Sequence, residues 1–143
     1  MIPEIEPATA ADAAAVIALW HACGLTRPWN DPATDFALAL REAQSSVLVV
    51  RGEGGITGSV MVGFDGHRGW VYYLAVAPAA RRSGLGRALM TAAEAWLHAR
   101  GAPKLQLMVR GDNTAALGFY EALGLARQDV VVLGRFLADG GVG

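Results

Sequence analysis

A short segment rich in arginine and glycine joins an apolar, strand-like run to a long helical pattern. Its residues are Arg81-Arg82-Ser83-Gly84-Leu85-Gly86-Arg87. A helix N-terminus presents unpaired N–H groups and about half a positive charge, and glycines let the backbone approach a ligand closely. Arginines are unfavourable at this end of a helix, so their presence favours a bound anion that compensates them. The segment therefore predicts a phosphate site, with a solvated basic turn as the alternative.

Two common phosphate-binding patterns do not fit this segment. A Walker loop needs Gly-x-x-x-x-Gly-Lys followed by Ser or Thr, and the chain contains none. The dinucleotide fingerprint needs a third glycine, where this chain has Leu89. A nucleotide-phosphate binder of another fold stays open as an interpretation.

The cysteine and the histidines show no pattern of their own. A single cysteine, Cys23, excludes an intramolecular disulfide and a multi-cysteine zinc site, and we expect it to pack as a small buried hydrophobe. His67 is predicted to lie in a turn, and His21 and His98 on helices without a partner that spacing reveals. Neither a Ser–His–acid arrangement nor metal-ligand spacing is present, so no metal is expected.

The composition is that of one folded domain. The chain has 143 residues, of which 53% are hydrophobic and 17% charged, and its formal net charge is −1. These values exclude intrinsic disorder and lack the basic excess of nucleic-acid-binding proteins. The longest run without Asp, Glu, Lys or Arg, Ala13–Thr26, is shorter than the ~20 residues of a membrane helix. We expect one cytoplasmic domain over residues 1–143, without nucleic acid or membrane as a partner, and a frayed tail at Gly140–Gly143.

Hydrophobic periodicity and turn residues divide the chain into strands and helices. The predicted strands are Ile2–Glu6, Ser46–Arg51, Ile56–Phe64, Trp70–Val76, Leu105–Val109 and Val130–Leu133, the last extending at most to Phe136. The predicted helices run from Thr9 to Gly24, from Asp31 through Arg41, from Gly84 to Arg100 and from Asn113 to Leu123. Hairpins followed by a strand–helix–strand unit indicate a mixed, mostly antiparallel sheet with one parallel pair. With about four flanking helices, the fold class is α+β.

Two segments in the same order as in a known family carry a resemblance. They are Leu74-Ala75-Val76-Ala77-Pro78 followed by Arg81-x-x-Gly84-x-Gly86, and Asn113-x-x-Ala116-x-x-Phe119-Tyr120-x-x-Leu123-Gly124. These segments resemble motifs A and B of the GNAT superfamily of N-acetyltransferases. Residues Cys23–Pro32 and Gly69–Tyr73 are similar to small bacterial YpeA-type members, and the order of elements matches over nearly the whole chain.

The resemblance implies a GNAT-like acyl-CoA N-acyltransferase fold with three layers, in which the parallel strand pair splays apart around acetyl-CoA. Backbone N–H groups from Arg82 to Ala88 would hold the pyrophosphate, and arginine side chains would add charge. The backbone from Leu74 to Val76 would meet pantetheine and the thioester, with an N–H there polarising the acetyl carbonyl. The implied cofactor-binding residues are Leu74, Ala75, Val76, Arg81, Arg82, Ser83, Gly84, Leu85, Gly86, Arg87, Ala88, Asn113 and Tyr120.

The activity implied by the resemblance is acetyl transfer from acetyl-CoA to a primary amine by direct attack. The implied catalytic residues are Leu74, through its backbone, and Tyr120, which matches the family's general acid because a phenol of pKa about 10 stays protonated at neutral pH. The alternatives are that Tyr120 only packs and that Asn113 only caps a helix. Many relatives have an acidic residue on the motif A strand, where this chain has aromatic ones. The general base is therefore open, with water relaying to Asp31 or Asp35 as one solution.

The acceptor is expected to be a small-molecule or peptide amine. Residues expected to contact it are Trp29, Asp31, Trp70 and Tyr72, for which ordinary packing is the alternative role. Family members are often dimers, so a homodimer is a further expectation. The alternative function is an acyl-CoA-binding or sensor module of the same fold with little or no catalysis, which the missing strand carboxylate favours.

Overall fold

The computed structural model describes residues 4–137. Five strands form one sheet, in which they lie side by side in the order of the chain. The strands are β1 Ile5–Pro7, β2 Ser45–Gly52, β3 Gly55–Phe64, β4 Gly69–Val76 and β5 Leu105–Leu107. The helices are α1 Ala13–Ala22, α2 Pro32–Arg41, α3 Leu85–Ala99 and α4 Thr114–Ala122, with 3-10 turns at Ala10–Asp12 and Pro78–Ala80. Ile2 and the predicted tail Gly140–Gly143 lie outside the described residues.

The chain divides into two compact units. One extends to Met108 and contains the sheet with α1, α2 and α3, and the other begins at Val109 and contains α4. The single domain expected over residues 1–143 stays a prediction.

The sheet is mixed, as the sequence predicts. Antiparallel pairing joins β1 to β2, β2 to β3 and β3 to β4, whereas β4 and β5 are parallel. The turn between β3 and β4 is held by Asp65, whose Oδ1 accepts from the N–H groups of His67 and Arg68 at 2.8 and 2.7 Å. Helix α3 makes the crossover that a parallel pair requires. The α+β class is confirmed.

Helices cover both faces of the sheet. Trp20 Nε1 of α1 donates a hydrogen bond to Ser59 Oγ of β3 at 3.1 Å, whereas a Cβ on Gly58 would lie 2.9 Å from Leu89 Cδ1 of α3. Because neighbouring strand residues point to opposite faces, α1 and α3 lie on opposite sides of the sheet. Helix α2 joins α1 on its side, where Phe36 is buried in the same core as Trp20. The sheet is therefore the middle of three layers, with α1 and α2 on one side and α3 on the other, as expected.

Side-chain caps fix where the first helices begin. Thr9 and Asp12 form a capping box, in which Thr9 N–H donates to Asp12 Oδ2 at 2.8 Å. Arg51 donates to both oxygens of the same carboxylate at 2.7 and 2.8 Å. These hydrogen bonds, those from Arg51 above all, hold the pKa of Asp12 well below its usual range. Asp31 caps α2, as its position before Pro32 predicts.

Two strand predictions need correction. β5 ends at Leu107 rather than at Val109. The predicted strand Val130–Leu133, with its extension to Phe136, is wrong, because this run has no strand structure and its side chains are 65–89% exposed. A β-prone run becomes a strand only where a neighbour completes its hydrogen bonds and covers one face.

Close packing of α3 on β4 depends on Gly69. A Cβ at this position would lie 2.5 Å from Cδ1 and 2.6 Å from Cδ2 of Leu97, which is buried. We expect Gly69→Ala to lower the free energy of unfolding by about 1–3 kcal/mol, because the Leu97 side chain must shift in a filled core. Chemical denaturation measures the change. Gly63→Ala on β3 is the control, since its Cβ would make only ordinary contacts at 3.6 Å; equal losses in both variants would contradict the packing argument.

Candidate active site

The ladder between β3 and β4 is interrupted by a bulge. The register shifts between Ser59 and Met61 of β3, so that Tyr73 and Leu74 of β4 together oppose the single residue Val60. Tyr73 has a φ of 53°, in the left-handed region that bulky side chains avoid. A bulge bends the strand and leaves an extra residue unpaired. The backbone at Leu74, the predicted catalytic position, is therefore outside the recorded ladder.

Two side-chain contacts hold Tyr73 in this conformation. Its ring stacks on Trp20, with centroids 3.9 Å apart and planes at 7°. Its hydroxyl donates a hydrogen bond to Asp35 Oδ2 of α2 at 2.7 Å. Burial, and then the hydrogen bond to the Asp35 carboxylate, raise the pKa of Tyr73. Trp20 of α1 thus holds the ring of Tyr73, and Asp35 of α2 holds its hydroxyl group.

β4 also has an open edge on the side of β5. Parallel pairing joins Gly69–Val71 of β4 to Leu105–Leu107 of β5 and extends no further among the described residues. The rest of β4, Tyr72–Val76, can offer backbone N–H and C=O groups on this side to an extended ligand, apart from the Val76 carbonyl, which already accepts from Arg81 and Cys23. The short ladder agrees with the splayed parallel pair that the family resemblance implies.

The N-terminus of α3 follows β4 after one short turn. Gly84 is the N-cap, with a φ of 81°, no side chain caps this helix, and its first turn contains no acidic residue. The first intrahelical hydrogen bond runs from Ala88 N–H to Gly84 O at 3.0 Å. The N–H groups of Leu85, Gly86 and Arg87 precede it and have no intrahelical acceptor. Together with the positive end of the helix dipole, they form a cradle that suits an anion.

The arginines of this segment differ in their contacts. Arg81 Nε donates to Val76 O at 3.3 Å, and its Nη2 lies 3.7 Å from Cys23 Sγ. Arg82, whose φ is 65°, and Arg87 are both exposed. Within residues 4–137 neither of these two side chains has a recorded hydrogen bond or ion pair. The guanidinium groups of Arg82 and Arg87 are therefore available to bind an anion, whereas that of Arg81 is hydrogen-bonded to the last residue of β4.

Ser83 and Cys23 complete the surroundings of the segment. Ser83 Oγ donates to Ala80 O at 2.5 Å, which closes the loop on itself. Cys23 is half-buried, and its Sγ donates to Val76 O at 3.3 Å. Cys23 packs against the core as a small hydrophobe, as expected, but it is only partly buried because it follows the last turn of α1 at the margin of the core.

The second unit carries the motif B residues on α4. Asn113 is the N-cap, and its Oδ1 accepts from Ala116 N–H at 3.1 Å, which confirms the capping role. The Tyr120 ring lies edge-on to Phe119, with centroids 5.1 Å apart. Burial raises the pKa of Tyr120 to about 12, so its hydroxyl stays protonated and can donate throughout neutral and moderately alkaline pH. The cofactor contacts of Asn113 and Tyr120 stay predictions.

The residues predicted to contact an acceptor lie on two elements. Trp70 and Tyr72 of β4 stack with centroids 6.5 Å apart, and Trp70 Nε1 donates to Asp65 Oδ2 at 3.3 Å. Because Gly69 faces α3, Trp70 and Tyr72 project from the opposite face of the sheet. Trp29 precedes α2 and is 51% exposed. Trp29 and Tyr72 are thus accessible to a ligand.

The two carboxylates of the α2 region have different surroundings. Asp31 accepts from Ala33 N–H at 3.0 Å and from the Thr34 hydroxyl at 2.9 Å. These bonds, the one from Thr34 first, hold the pKa of Asp31 below its usual range. Asp35 lies one turn later and reaches Tyr73 on β4. The sequence named both carboxylates but missed the partner of Asp35, because no local signal links α2 to a residue so distant in the chain.

Within the part of the chain that the structure describes, no group of three or more His, Cys, Asp or Glu residues is placed to hold a metal ion. No helix there combines the length and the apolar character needed to cross a membrane. The candidate site is built from backbone N–H groups, arginines and aromatic side chains.

Comparison with known sequences places the chain among acetyltransferases. The model of the acetyltransferase (GNAT) family matches residues 13–125. An acetyltransferase of Yersinia enterocolitica is 49% identical over 122 residues, which cover 85% of this chain and 86% of that protein. An acetyltransferase of Pectobacterium atrosepticum is 48% identical over 128 residues, which cover 90% and 91%.

Comparison with solved structures supports the same fold. AAC(6')-Iy, in complex with a CoA bisubstrate analogue, matches with a TM-score of 0.79 at 15% identity over 94% of this chain and 98% of that one. A transcriptional regulator from Bacillus halodurans matches with a TM-score of 0.75 at 20% identity over 94% and 99%. At these identities the likeness concerns the fold alone. The family match and the close relatives carry the assignment: this chain belongs to the GNAT family of acetyltransferases.

Proposed function

We propose that this chain transfers an acetyl group from acetyl-CoA to a primary amine by direct attack of the amine on the thioester. The observation that carries the proposal is the open edge of β4, Tyr72–Val76, which leads through one short turn into the uncapped N-terminus of α3. Acetyl-CoA combines an extended arm containing amides with a pyrophosphate. The arm suits the open edge of β4, and the pyrophosphate suits the N-terminus of α3. Membership of the acetyltransferase family supports the same cosubstrate.

The cosubstrate is held at two places in this proposal. The N–H groups of Leu85, Gly86 and Arg87 bind the pyrophosphate, since they lack an intrahelical acceptor and point along the positive end of α3. The exposed guanidinium groups of Arg82 and Arg87 offset its charge. The backbone from Leu74 to Val76 hydrogen-bonds to the amides of the pantetheine arm as an added strand would.

The chemical step follows from three groups. Acetyl-CoA supplies a thioester whose carbonyl carbon is open to attack by nitrogen. The N–H of Leu74, at the bulge of β4, donates to the carbonyl oxygen and stabilises the negative charge that develops there. As the C–N bond forms and the C–S bond breaks, Tyr120 donates its proton to the sulfur. The nitrogen loses one proton to solvent and Tyr120 regains one, so that the products are an amide and the CoA thiol.

The amine must lose its proton before it attacks. A lysine-like ammonium has a pKa of about 10.4, and β4 has Trp70, Tyr72 and Tyr73 where a carboxylate base would stand. We therefore assign this proton to solvent water. In this proposal the rate rises with pH as the neutral fraction of the amine increases, and Tyr120 does not limit it because its raised pKa keeps it protonated.

The acceptor approaches from the face of the sheet that carries Trp70 and Tyr72. It is a small-molecule or peptide amine. Among structures of the same fold, AAC(6')-Iy is an aminoglycoside N-acetyltransferase, which makes a small amine compatible with such a scaffold.

The activity is tested by following CoA thiol release from acetyl-CoA with a panel of alkylamines, polyamines, amino acids, aminoglycosides and short peptides. We expect at least one amine to raise the rate above that of hydrolysis, with the amide identified by mass spectrometry. Silence across the panel, while calorimetry shows CoA bound, would reject the enzyme and favour the binding module.

The charge at the start of α3 is tested by calorimetry with CoA. Arg82→Gln and Arg87→Gln are each expected to weaken CoA binding about fivefold, because each removes one cation from the pyrophosphate. Arg100→Gln is the matched control at the opposite end of the same helix, where the guanidinium lies over the Trp96 ring at 3.5 Å. Losses of the same size in all three variants would contradict a local anion site.

The role of Tyr120 is tested by Tyr120→Phe. We expect kcat to fall by about a hundredfold or more, because the departing sulfur loses its proton donor, whereas the Kd for CoA stays unchanged. Steady-state kinetics and calorimetry measure the two quantities. An unaltered kcat would reject Tyr120 as the general acid.

A further inference from the structure

Asp35 is a half-buried carboxylate with unused capacity to accept hydrogen bonds. Its Oδ2 accepts from the Tyr73 hydroxyl at 2.7 Å. Among residues 4–137 no other side chain donates a hydrogen bond to this carboxylate, and it takes part in no salt bridge. An ionised carboxylate can accept about four hydrogen bonds, so Asp35 can take a cationic donor from outside the chain.

Other aspartates near the sheet are already occupied. Asp12 is held on both oxygens by Arg51. Asp31 caps α2 with both of its oxygens. Asp65 accepts two backbone N–H groups and the Trp70 indole. Asp35 differs from all three because it has one neutral partner and no counter-charge.

The position of Asp35 connects it with the proposed acyl site. Its partner Tyr73 lies at the bulge of β4, directly before Leu74. Trp70 and Tyr72 project from the same face of β4 as Tyr73, since Gly69 faces α3 and Tyr73 stacks on α1. Tyr72, the neighbour of Tyr73 in the chain, is exposed on this face, and aromatic rings attract cations in their own right.

We propose that Asp35, oriented by Tyr73, binds a second cationic group of the acceptor, so that the preferred substrates are amines carrying another ammonium group. The inference rests on the proposed acetyl transfer. The reacting nitrogen itself is excluded as the partner of Asp35, because a carboxylate beside an ammonium raises its pKa and favours the form that cannot attack. Asp35 therefore anchors and orients the acceptor, and no proton or bond is exchanged at its carboxylate.

The test compares kcat/KM for 1,4-diaminobutane and for butylamine, which differ in the second ammonium group. We expect the wild type to favour the diamine by about tenfold or more, the contribution of one charge-assisted hydrogen bond. Asp35→Asn is expected to bring the ratio close to one, and Tyr73→Phe to lower it in part, because the carboxylate loses its orienting donor. Glu42→Gln, which removes a charge at the other end of α2, is the control and keeps the wild-type ratio.

A ratio of rates is insensitive to partial loss of folded protein, which lowers both rates equally. Calorimetry of 1,4-diaminobutane with the CoA-saturated protein adds a readout that needs no turnover, and Asp35→Asn is expected to weaken this binding about tenfold. If amines are acetylated but Asp35→Asn keeps the diamine preference, the inference is overturned and the proposed function stands. If the diamine binds through Asp35 but no amine is acetylated, the proposed function fails and the cation site stands. A diamine that neither binds nor reacts overturns the inference.

Discussion

One buried ring, that of Trp20, fixes the geometry on which the candidate site depends. It donates a hydrogen bond to Ser59 of β3, meets Phe36 of α2 edge-on with centroids 6.2 Å apart, and stacks on Tyr73 of β4. A left-handed conformation at a residue such as Tyr73 costs about 1–3 kcal/mol and persists only where its surroundings enforce it. The bulge of β4, and with it the backbone at Leu74, therefore rests on side-chain packing from another element.

The other half of the site depends on electrostatics rather than on packing. The first turn of α3 lacks an acidic residue and a side-chain cap, and Arg82 and Arg87 bring further positive charge to it. Each of these features slightly lowers the stability of the protein without a ligand. Each also strengthens the attraction for an anion, as the proposed pyrophosphate site requires. Gly69 and Gly58 complement this arrangement by letting α3 lie close to the sheet.

The sequence predicts what local chemistry determines. Asp31 before Pro32 marks the start of α2, Asp65-Gly66 marks a hairpin, and the pattern from Arg81 to Gly86 marks the junction of β4 and α3. The bulge could not be predicted, because nothing near Tyr73 indicates a positive φ; Trp20 and Asp35, far away in the chain, impose it. The same limit explains the wrong strand at Val130–Leu133, where high β-propensity has no partner strand in the described residues to act upon.

The exposed run Val130–Leu133 also affects the tendency of the protein to aggregate in solution. Val130–Leu133 joins β-prone, apolar residues that are 65–89% exposed and contain no proline, the composition of segments that stack into cross-β fibrils. Asp129 and Arg135 flank the run, and flanking charges act as gatekeepers against such stacking. In a parallel, in-register stack each of these residues faces its own copy, and the resulting like-charge repulsion is screened within about 3 Å at 1 M salt. Concentrated, high-salt solutions are therefore the conditions in which this segment most favours aggregation.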